Sequence, residues 1–547
     1  MRFLRFGLIL LLGCTGLCSL RAQSDSNYRS LLTPSVRSGK VSSPEHLKSY
    51  LQDGKIRIGL RDAILLALEN DSDIRLQESQ IEFRKFSLLS AFQPFDPSLQ
   101  SLFQVNRYSY PTYTQLQGVG ASGNTVLNSL SQAGQINYLQ TFTTGANVQV
   151  GVSSTRSSTN SSFYFFNPNY SSSLNLQFTQ PLLRNAGRFA NTAPIKIARK
   201  SLSQSQALFE AGVNDTVLLV VSQYWIAVQA RGALDVQRRA LDLAEASYQR
   251  DKRSLELGAL PPLDIIRSES EVAARKVAQI QAAYALTQAE EALRLTIGAD
   301  QDLQFRSAGF ELTEDPQPSG DLEAVSLNAA LDQALSNRPE LSAAADALAG
   351  DELGVRLAKN QLKPNLSVSG FYQSNGLGGN QYDLVSGQLI ASGGFGSSFN
   401  QLFGFGFPGY GGTLSLTLPI RNRGAQSQLG NALVAKEHDL YSARQVRELI
   451  TRQVREAVEQ LETAEVTLDA ANKSFDLAKK QLAADQRKYE LGAQTSFFVL
   501  DSQSRLAQAE LAMLQARVAY QVARGSIDHA EGTLLAPFRL QFDALAK

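Results

Sequence analysis

Cysteine, histidine, tryptophan and methionine are nearly missing from this chain of 547 residues, and each absence closes off a class of chemistry. Its two cysteines, Cys14 and Cys18, both lie in the N-terminal leader, so the body forms no disulfide and offers no thiolate. The three histidines, His46, His438 and His529, stand far apart with no partner at metal-ligand spacing. Neither sign of charge dominates: 52 basic residues face 51 acidic ones, which gives no field for a nucleic acid. Past the leader, no run reaches the ~18 uninterrupted apolar residues of a spanning helix. The nearest, Val217 to Ala230, is broken by Ser222, Gln223 and Gln229. No nucleophile, metal or phosphate-binding constellation is present, so the residues predict neither an enzyme nor a cofactor.

The leader reads Met1-Arg2-Phe3-Leu4-Arg5 and then a short apolar core from Phe6 to Leu12, the pattern of a secretory signal over residues 1–22. Two processing routes fit it. One is cleavage after Ala22; the other is a lipoprotein box, Leu11-Leu12-Gly13-Cys14, which leaves an acylated Cys14. Both export the chain. An exported chain without a spanning helix is either soluble or crosses an outer membrane as β-strands.

What the chain does have is a duplication. Leu506, Ala509, Met513, Ala516, Tyr520, Ala523, Ile527 and Ala530 recur at alternating 3 and 4 spacing, a coiled-coil seam after a turn at Leu491-Gly492-Ala493. Leu257-Gly258 matches Leu491-Gly492, and Gly298 matches Gly532. Upstream, Leu60, Ala63, Ala67, Leu68, Asn70 and Ile74 align with Leu327, Ala330, Ala334, Leu335, Asn337 and Leu341. The expected organisation is a polar, loop-like segment over 23–58, a first repeat over 59–300, an equatorial linker over 301–326, a second repeat over 327–533 and a tail over 534–547. Long helices are expected over 192–255, with Thr192 and Pro194 as its start, and over 426–490. Each reaches roughly 95 Å at 1.5 Å per residue. The shorter helices, Leu60–Phe92, 263–298, Leu327–Leu362 and 495–531, are about half that length. Two laid end to end therefore match one long helix.

After Pro97 and Pro364 the apolar period changes to two. Leu174, Leu176 and Phe178 alternate with polar residues, as do Leu366 with Val368 and Leu414, Leu416 and Leu418. This gives strand pairs within 97–181 and 365–420. An apolar face opposite an uncharged polar one suits a strand between lipid and a watery lumen, and suits a half-buried soluble sheet as well. Residues 109–170 and 374–412 read as long loops, with an extra hairpin an open question over 135–152. Phe403, Phe405 and Phe407 fit a lumen plug, a lipid interface or a plain loop. Pro181 with Gly187, and Pro419 with Gly424, mark strand-to-helix elbows. Four strands cannot close a barrel, since about eight is the smallest. Three chains would supply twelve.

Gln180-Pro181-Leu182-Leu183-Arg184, Tyr489-Glu490-Leu491-Gly492, Val499-Leu500-Asp501 and Glu531-Gly532, in this order and with the duplication, resemble the TolC-like outer-membrane efflux proteins over nearly the whole mature chain. The resemblance implies a mainly α protein with membrane β. Its duplicated helical hairpins would form a trimeric α-barrel, continued by a 12-stranded β-barrel of four strands per protomer. It implies the outer membrane of a Gram-negative bacterium, with a periplasmic helical extension and lipid around the strands. Its partners would be two further copies of itself, a periplasmic membrane-fusion adaptor and, through that, an inner-membrane pump or exporter. The implied function is a passive channel of a tripartite efflux pump for small molecules such as drugs or toxic compounds. Type I protein secretion is the alternative, and a non-pore periplasmic coiled-coil scaffold the reading from outside the family.

Two sites follow from the resemblance. The hairpin tips, with Leu257, Gly258, Ala259, Leu491, Gly492, Ala493 and Thr495, would dock on the adaptor, while the same glycines also serve as helix C-caps. Acidic rings close the periplasmic end in the family, and Asp501 falls on one such position. The neighbouring acidic position is Phe498 here; in the first repeat Asp264 aligns with Phe498 and Arg267 with Asp501. Gln494 stands where the best-known member has an arginine that ties the tip shut. Three Asp501 carboxylates around a narrow axis would attract cations, whereas a lone aspartate near a helix N-terminus is also favoured by the dipole.

Overall fold

The computed structural model describes residues 49–538 apart from 53, 115–125, 259–261, 302, 307 and 319–324. The leader with Cys14, residues 23–48 and Ala259 lie outside the described residues.

Two long helices carry the molecule, α3 (Gly187–Glu256) and α9 (Arg423–Glu490). α3 begins before Thr192, so Pro194 sits inside it rather than at its start. Asn191 explains this by donating to both Asn185 O (2.9 Å) and Gly187 O (2.8 Å). That ties the first turn down, and the proline's missing N–H removes only one later bond.

The segments expected as single helices before the strands each break, at the same place in both repeats. The first gives α1 (Leu60–Asn70) and α2 (Ser72–Ser90), with Asp71 capping α2 by accepting from Asp73 N (2.7 Å) and Ile74 N (3.2 Å). The second gives α6 (Leu327–Asn337) and α7 (Pro339–Gln361), where Pro339 keeps Arg338 extended. The returning helices are α4 (Pro262–Thr296) and α10 (Ser496–Glu531). Each ends on a left-handed glycine seated against the break: Gly298 (φ +70) on Asn70, and Gly532 (φ +74) on Asn337. These two junctions are the points where the shorter helices meet end to end beside the long ones.

The segments expected as loops around the middle contain a small sheet. β1 (Leu51–Gln52) pairs with β2 (Lys55–Ile58), and β2 runs parallel to β7 (Gly309–Leu312), which follows the short α5 (Leu303–Arg306). Ile56 and Ile58 alternate with Lys55 and Arg57, so one face of β2 is fully buried. They pack with Ile64, Val217, Val220, Tyr224, Leu293, Ile297 and Phe305. Burying each such side chain contributes about 1.5–3 kcal/mol. This core takes up one side of the apolar stretch of α3 near Val217, with Val220, Val221, Tyr224 and Val228 packed into it, while Leu219 and Ile226 stay exposed. Leu534 closes the same cluster from the C-terminal side. A second core follows the heptad seam, with Ile450, Val454, Leu461 and Leu468 of α9 against Ala516, Tyr520, Ala523 and Ile527 of α10.

The large sheet departs from the expected four strands. Its order is β10-β8-β6-β5-β4-β3, antiparallel throughout, from β3 (Ser98–Pro111), β4 (Val126–Thr141), β5 (Asn147–Thr159), β6 (Phe166–Pro181), β8 (Asn365–Tyr382) and β10 (Pro408–Thr417). A short β9 (Leu389–Ala391) hangs off β8. Most of the segment read as a long loop is thus the β4–β5 hairpin, and it outreaches the 135–152 hairpin. Its Ser, Gln and Asn residues mask the alternation in composition, but cross-strand hydrogen bonds depend on register rather than on hydrophobicity.

Candidate functional site: hairpin tips and channel wall

At the first tip α3 stops at Glu256, and Gly258 (φ +70) donates to Leu255 O at 2.9 Å. At the second, α9 stops at Glu490, Gly492 (φ +72) donates to Tyr489 O at 2.9 Å, and Ala493 donates to Lys488 O at 2.9 Å. Both are left-handed C-caps, which only glycine adopts without strain. A Cβ at either glycine would touch nothing within 4 Å, so the surface around them is open. Leu257 and Leu491, 83% and 76% exposed, stand out from the two turns as a matched apolar pair. Thr495 is the N-cap residue of α10 but makes no side-chain cap bond.

Behind each tip lies a polar pair that inspection of the sequence missed. Asp251 on α3 accepts from Ser268 on α4, and Asp485 on α9 accepts from Ser502 on α10 at 2.5 Å. All four side chains are buried. The aspartate-to-serine spacing is the same in both repeats, and aligning the duplicates on polar residues would have exposed it. Asp485 also accepts from Gln481 (2.8 Å) and from Gln494 (3.4 Å). The Ser502 and Gln481 hydrogen bonds, with a smaller one from Gln494, hold its carboxyl below the usual aspartate range. Gln494 is therefore part of a tie within its own hairpin. Between the hairpins, Arg250 lies over the Tyr489 ring and Arg267 over that of Phe497, at 5.9 and 5.1 Å.

Asp501 is one turn into α10 and pairs with Arg505 at 2.8 Å, with its own side chain 41% exposed. Arg267, which aligns with it in the other repeat, is drawn instead to Phe497, whose ring meets Phe498 edge-on at 5.4 Å. Asp264 lies in the first turn of α4, and its side chain is outside the described residues.

The elbows differ between repeats. After Pro181 the chain stays paired, Leu182 donating to Leu366 O (2.7 Å) and Arg184 to Pro364 O (3.2 Å), before Asn185 (φ 59) and Gly187 (φ 83) reverse it. Pro419 lies beyond the end of β10, and Gly424 sits within the first turn of α9 without a positive φ. The second elbow is instead capped by Asn422, which accepts from Ala425 N at 3.3 Å. Gly424 is thus not needed for the turn.

Register sorts the sheet into two faces. One carries Leu99, Phe103, Tyr138, Ile136, Val148, Val150, Val152, Leu174, Leu176, Phe178, Leu366, Val368, Leu414 and Leu416. The other is mainly polar, carrying Gln100, Asn137, Gln135, Gln149, Ser153, Asn175, Gln177, Gln373 and Ser415, with Leu102, Leu139 and Phe371 among them. Helix α8 (Phe395–Phe403) lies on the apolar face, its Ser398 Oγ 2.9 Å from Ser172 Oγ and its Leu402 O accepting from Ser374 at 2.7 Å. Phe395, Phe399 and Phe403 form a ring-to-ring stripe along it. Phe407 lines a cavity of about 700 Å³ together with Ser153, Ser171, Ser173 and Asn375 of the polar face. Phe405 lies beside Tyr372, with ring centroids 6.4 Å apart, so Phe403, Phe405 and Phe407 take three different surroundings. Among the described residues, no cluster of His, Cys, Asp and Glu could hold a metal ion.

The family model described as outer membrane efflux protein matches residues 146–299 and 330–533. No curated protein matches the chain significantly. Among solved structures it is similar to a membrane protein from Pseudomonas aeruginosa, at TM-score 0.60 and 17% identity over 89% of this chain and 92% of that one. It is also similar to the Campylobacter jejuni CmeC outer membrane channel, at TM-score 0.60 and 16% identity over 90% and 89%. The open state of the Neisseria gonorrhoeae MtrE outer membrane channel is similar at TM-score 0.56 and 17% identity, over 87% and 89%. The chain belongs to the outer membrane efflux protein family, the TolC-like channels of the Gram-negative outer membrane with a periplasmic helical domain, and it is not an enzyme.

Proposed function

We propose that this channel is the exit duct of a tripartite efflux pump, passing small toxic molecules outward with energy supplied by an inner-membrane partner. Three copies assemble around one axis. The two hairpin tips, presenting Leu257, Gly258, Leu491, Gly492, Ala493 and Thr495, meet a periplasmic adaptor, and the same proposal extends to Ala259. The observation that carries this reading is that both tips are built alike. Each is an open glycine cap with an exposed leucine, braced from behind by a buried aspartate–serine pair. A mere chain reversal does not require a matched apolar pair held out in water.

Asp501, with Asp264 one turn along the partner hairpin, gives the periplasmic mouth its cation preference. Arg505 offsets part of that charge, so the filter is a modest one. The test is single-channel conductance of the purified protein in a planar bilayer. Wild type should show cation-preferring openings, and Asp501→Asn should lower the cation-to-anion permeability ratio about two- to threefold. An unchanged ratio removes Asp501 from the constriction. A strain lacking the protein should become sensitive to small toxic compounds while still secreting its exoproteins; the reverse pattern would favour type I secretion.

A further inference from the structure

We propose that the membrane barrel of this channel has eighteen strands, six from each of three copies, and that neighbouring copies join along one continuous seam from sheet to helices. The inference rests on the trimeric channel reading above and changes the width and make-up of its pore.

The added hairpin is wall, not loop. β4 pairs with β3 from Val126 to Leu139, and with β5 from Ser129 to Thr141, with no break in register. Its alternation is in phase with its neighbours: Ile136 and Tyr138 on β4 stand level with Val148, Val150 and Val152 on β5 and with Leu174, Leu176 and Phe178 on β6. Asn137, Gln149 and Gln177 take the polar face beside them. A hairpin folded into the lumen or over the mouth would not need an apolar face continuous with the lipid face of β6. On this face of β5 the apolar run covers Val148, Val150 and Val152, about 14 Å along the strand at 3.4 Å per residue, and turns polar at Ser154 and then Arg156. Arg156 is hydrogen-bonded to Gln132 (2.9 Å) and Tyr170 (3.2 Å).

The seam follows from which elements lack a neighbour. In the sheet the free edges are β3 and β10. Among the helices next to the sheet, α2 packs on α3, α3 on α7 and α7 on α9, which leaves α2 and α9 at the margins. Toward the tips, α9 packs on α10, α10 on α3 and α3 on α4, which leaves α4 and α9. One margin is thus α9 running from β10, and the other is α2 running into β3, with α4 below. Both carry unpartnered apolar side chains: Val434, Tyr441, Val466 and Leu477 on α9, and Phe83, Val277, Ile280 and Tyr284 on α2 and α4. β3 runs away from the helices and β10 returns to them, so β10 of one copy meets β3 of the next antiparallel. A head-to-tail contact of this kind closes into a ring and leaves no strand edge in lipid. Six strands fall short of the smallest barrel of about eight, so a single copy cannot close on itself. At similar tilt, eighteen strands make a barrel about 1.5 times as wide as twelve, in the range where porins keep an open aqueous channel.

The only native cysteines are Cys14 and Cys18, so in a Cys18→Ser background no free native thiol remains on either processing route and introduced ones report cleanly from the wall. Single cysteines at Tyr138, Val150 and Leu176 would be labelled with bimane in the full-length protein in liposomes and quenched with nitroxide lipids. Asn137 and Gln149 serve as the polar-face counterparts. Tyr138→Cys and Val150→Cys should be quenched within about twofold of Leu176→Cys, and the polar-face pair should react with a water-soluble maleimide. Shielding of Tyr138→Cys and Val150→Cys while Leu176→Cys stays quenched would overturn the proposal and leave four wall strands per copy. As a second readout, Leu99→Cys with Leu416→Cys and a bis-maleimide should give a ladder ending at three chains. A ladder ending at two would overturn the eighteen-strand count and the trimer together. An intramolecular link between Leu99→Cys and Leu176→Cys would place β3 against β6 and exclude the inserted strands, leaving the channel reading intact.

Discussion

Asp251 and Asp485 are the residues on which the tips turn. A buried carboxylate survives only where donors replace its water, and each of these has a serine from the returning helix. Because the folded Asp485 carboxyl titrates below its ordinary range, its contribution is complete at neutral pH. It is lost as pH falls below about 3.9, the ordinary aspartate value. Asp485→Asn should therefore speed amide exchange in residues 485–502 about tenfold at pH 7, with little effect on exchange near Val217. The wild type should approach the variant's rate only as pH falls through the lowered Asp485 pKa, below the ordinary aspartate range. Equal exchange in both proteins at pH 7 would mean that the pair does not brace the tip.

The elements meet at glycines whose backbone no other residue can copy cheaply. A Cβ on Gly298 would lie 2.6 Å from Asn70 Cβ, and one on Gly532 would lie 3.1 Å from Asn337 Cβ. Both glycines are left-handed, a conformation that costs other residues about 1–2 kcal/mol. Gly298→Ala should lower Tm by several degrees, and by more than Gly532→Ala, because its contact is the closer one. Gly258→Ala carries the same φ penalty but touches nothing, so it should cost least of the three in thermal unfolding. Equal shifts in all three would show that φ alone sets the cost and that the junction contacts add nothing.

On the scale of the whole molecule, a single chain is an unfinished object. Its sheet has two open edges, and its helical layer has two apolar margins. Ile280 on α4 and Leu477 on α9, 60% and 65% exposed, sit on opposite margins. Ile280→Glu or Leu477→Glu should shift purified protein from trimer toward monomer by native mass spectrometry while far-UV circular dichroism stays unchanged. Trimer unaffected by either change would mean that these margins do not meet. Since the closing contacts are between copies, thermal stability should also rise with protein concentration.

Some of this was determined by the sequence alone. The 4-3 seams, the matched Leu-Gly turns and the switch from a helical period to a period of two mark long duplicated hairpins joined to strands, and the family resemblance puts those strands in a membrane. Helix and strand periodicities are legible because they are local and survive in composition. The family resemblance nominated the tips and Asp501 as candidates for the same reason: short motifs in fixed order need no folding to be read. Tertiary structure decided the rest. The β4–β5 hairpin was hidden in a Ser-, Asn- and Gln-rich stretch, since its lumen face is polar and its strands are held by hydrogen bonds that composition does not show. The β2–β7 pair joins residues more than 250 positions apart, and nothing local announces a parallel partner. The Asp–Ser braces, the breaks at Asp71 and Arg338, and the switch of Arg267 to an aromatic partner depend on which helix faces meet. That is a property of packing, and it exists only once the hairpins have folded against each other.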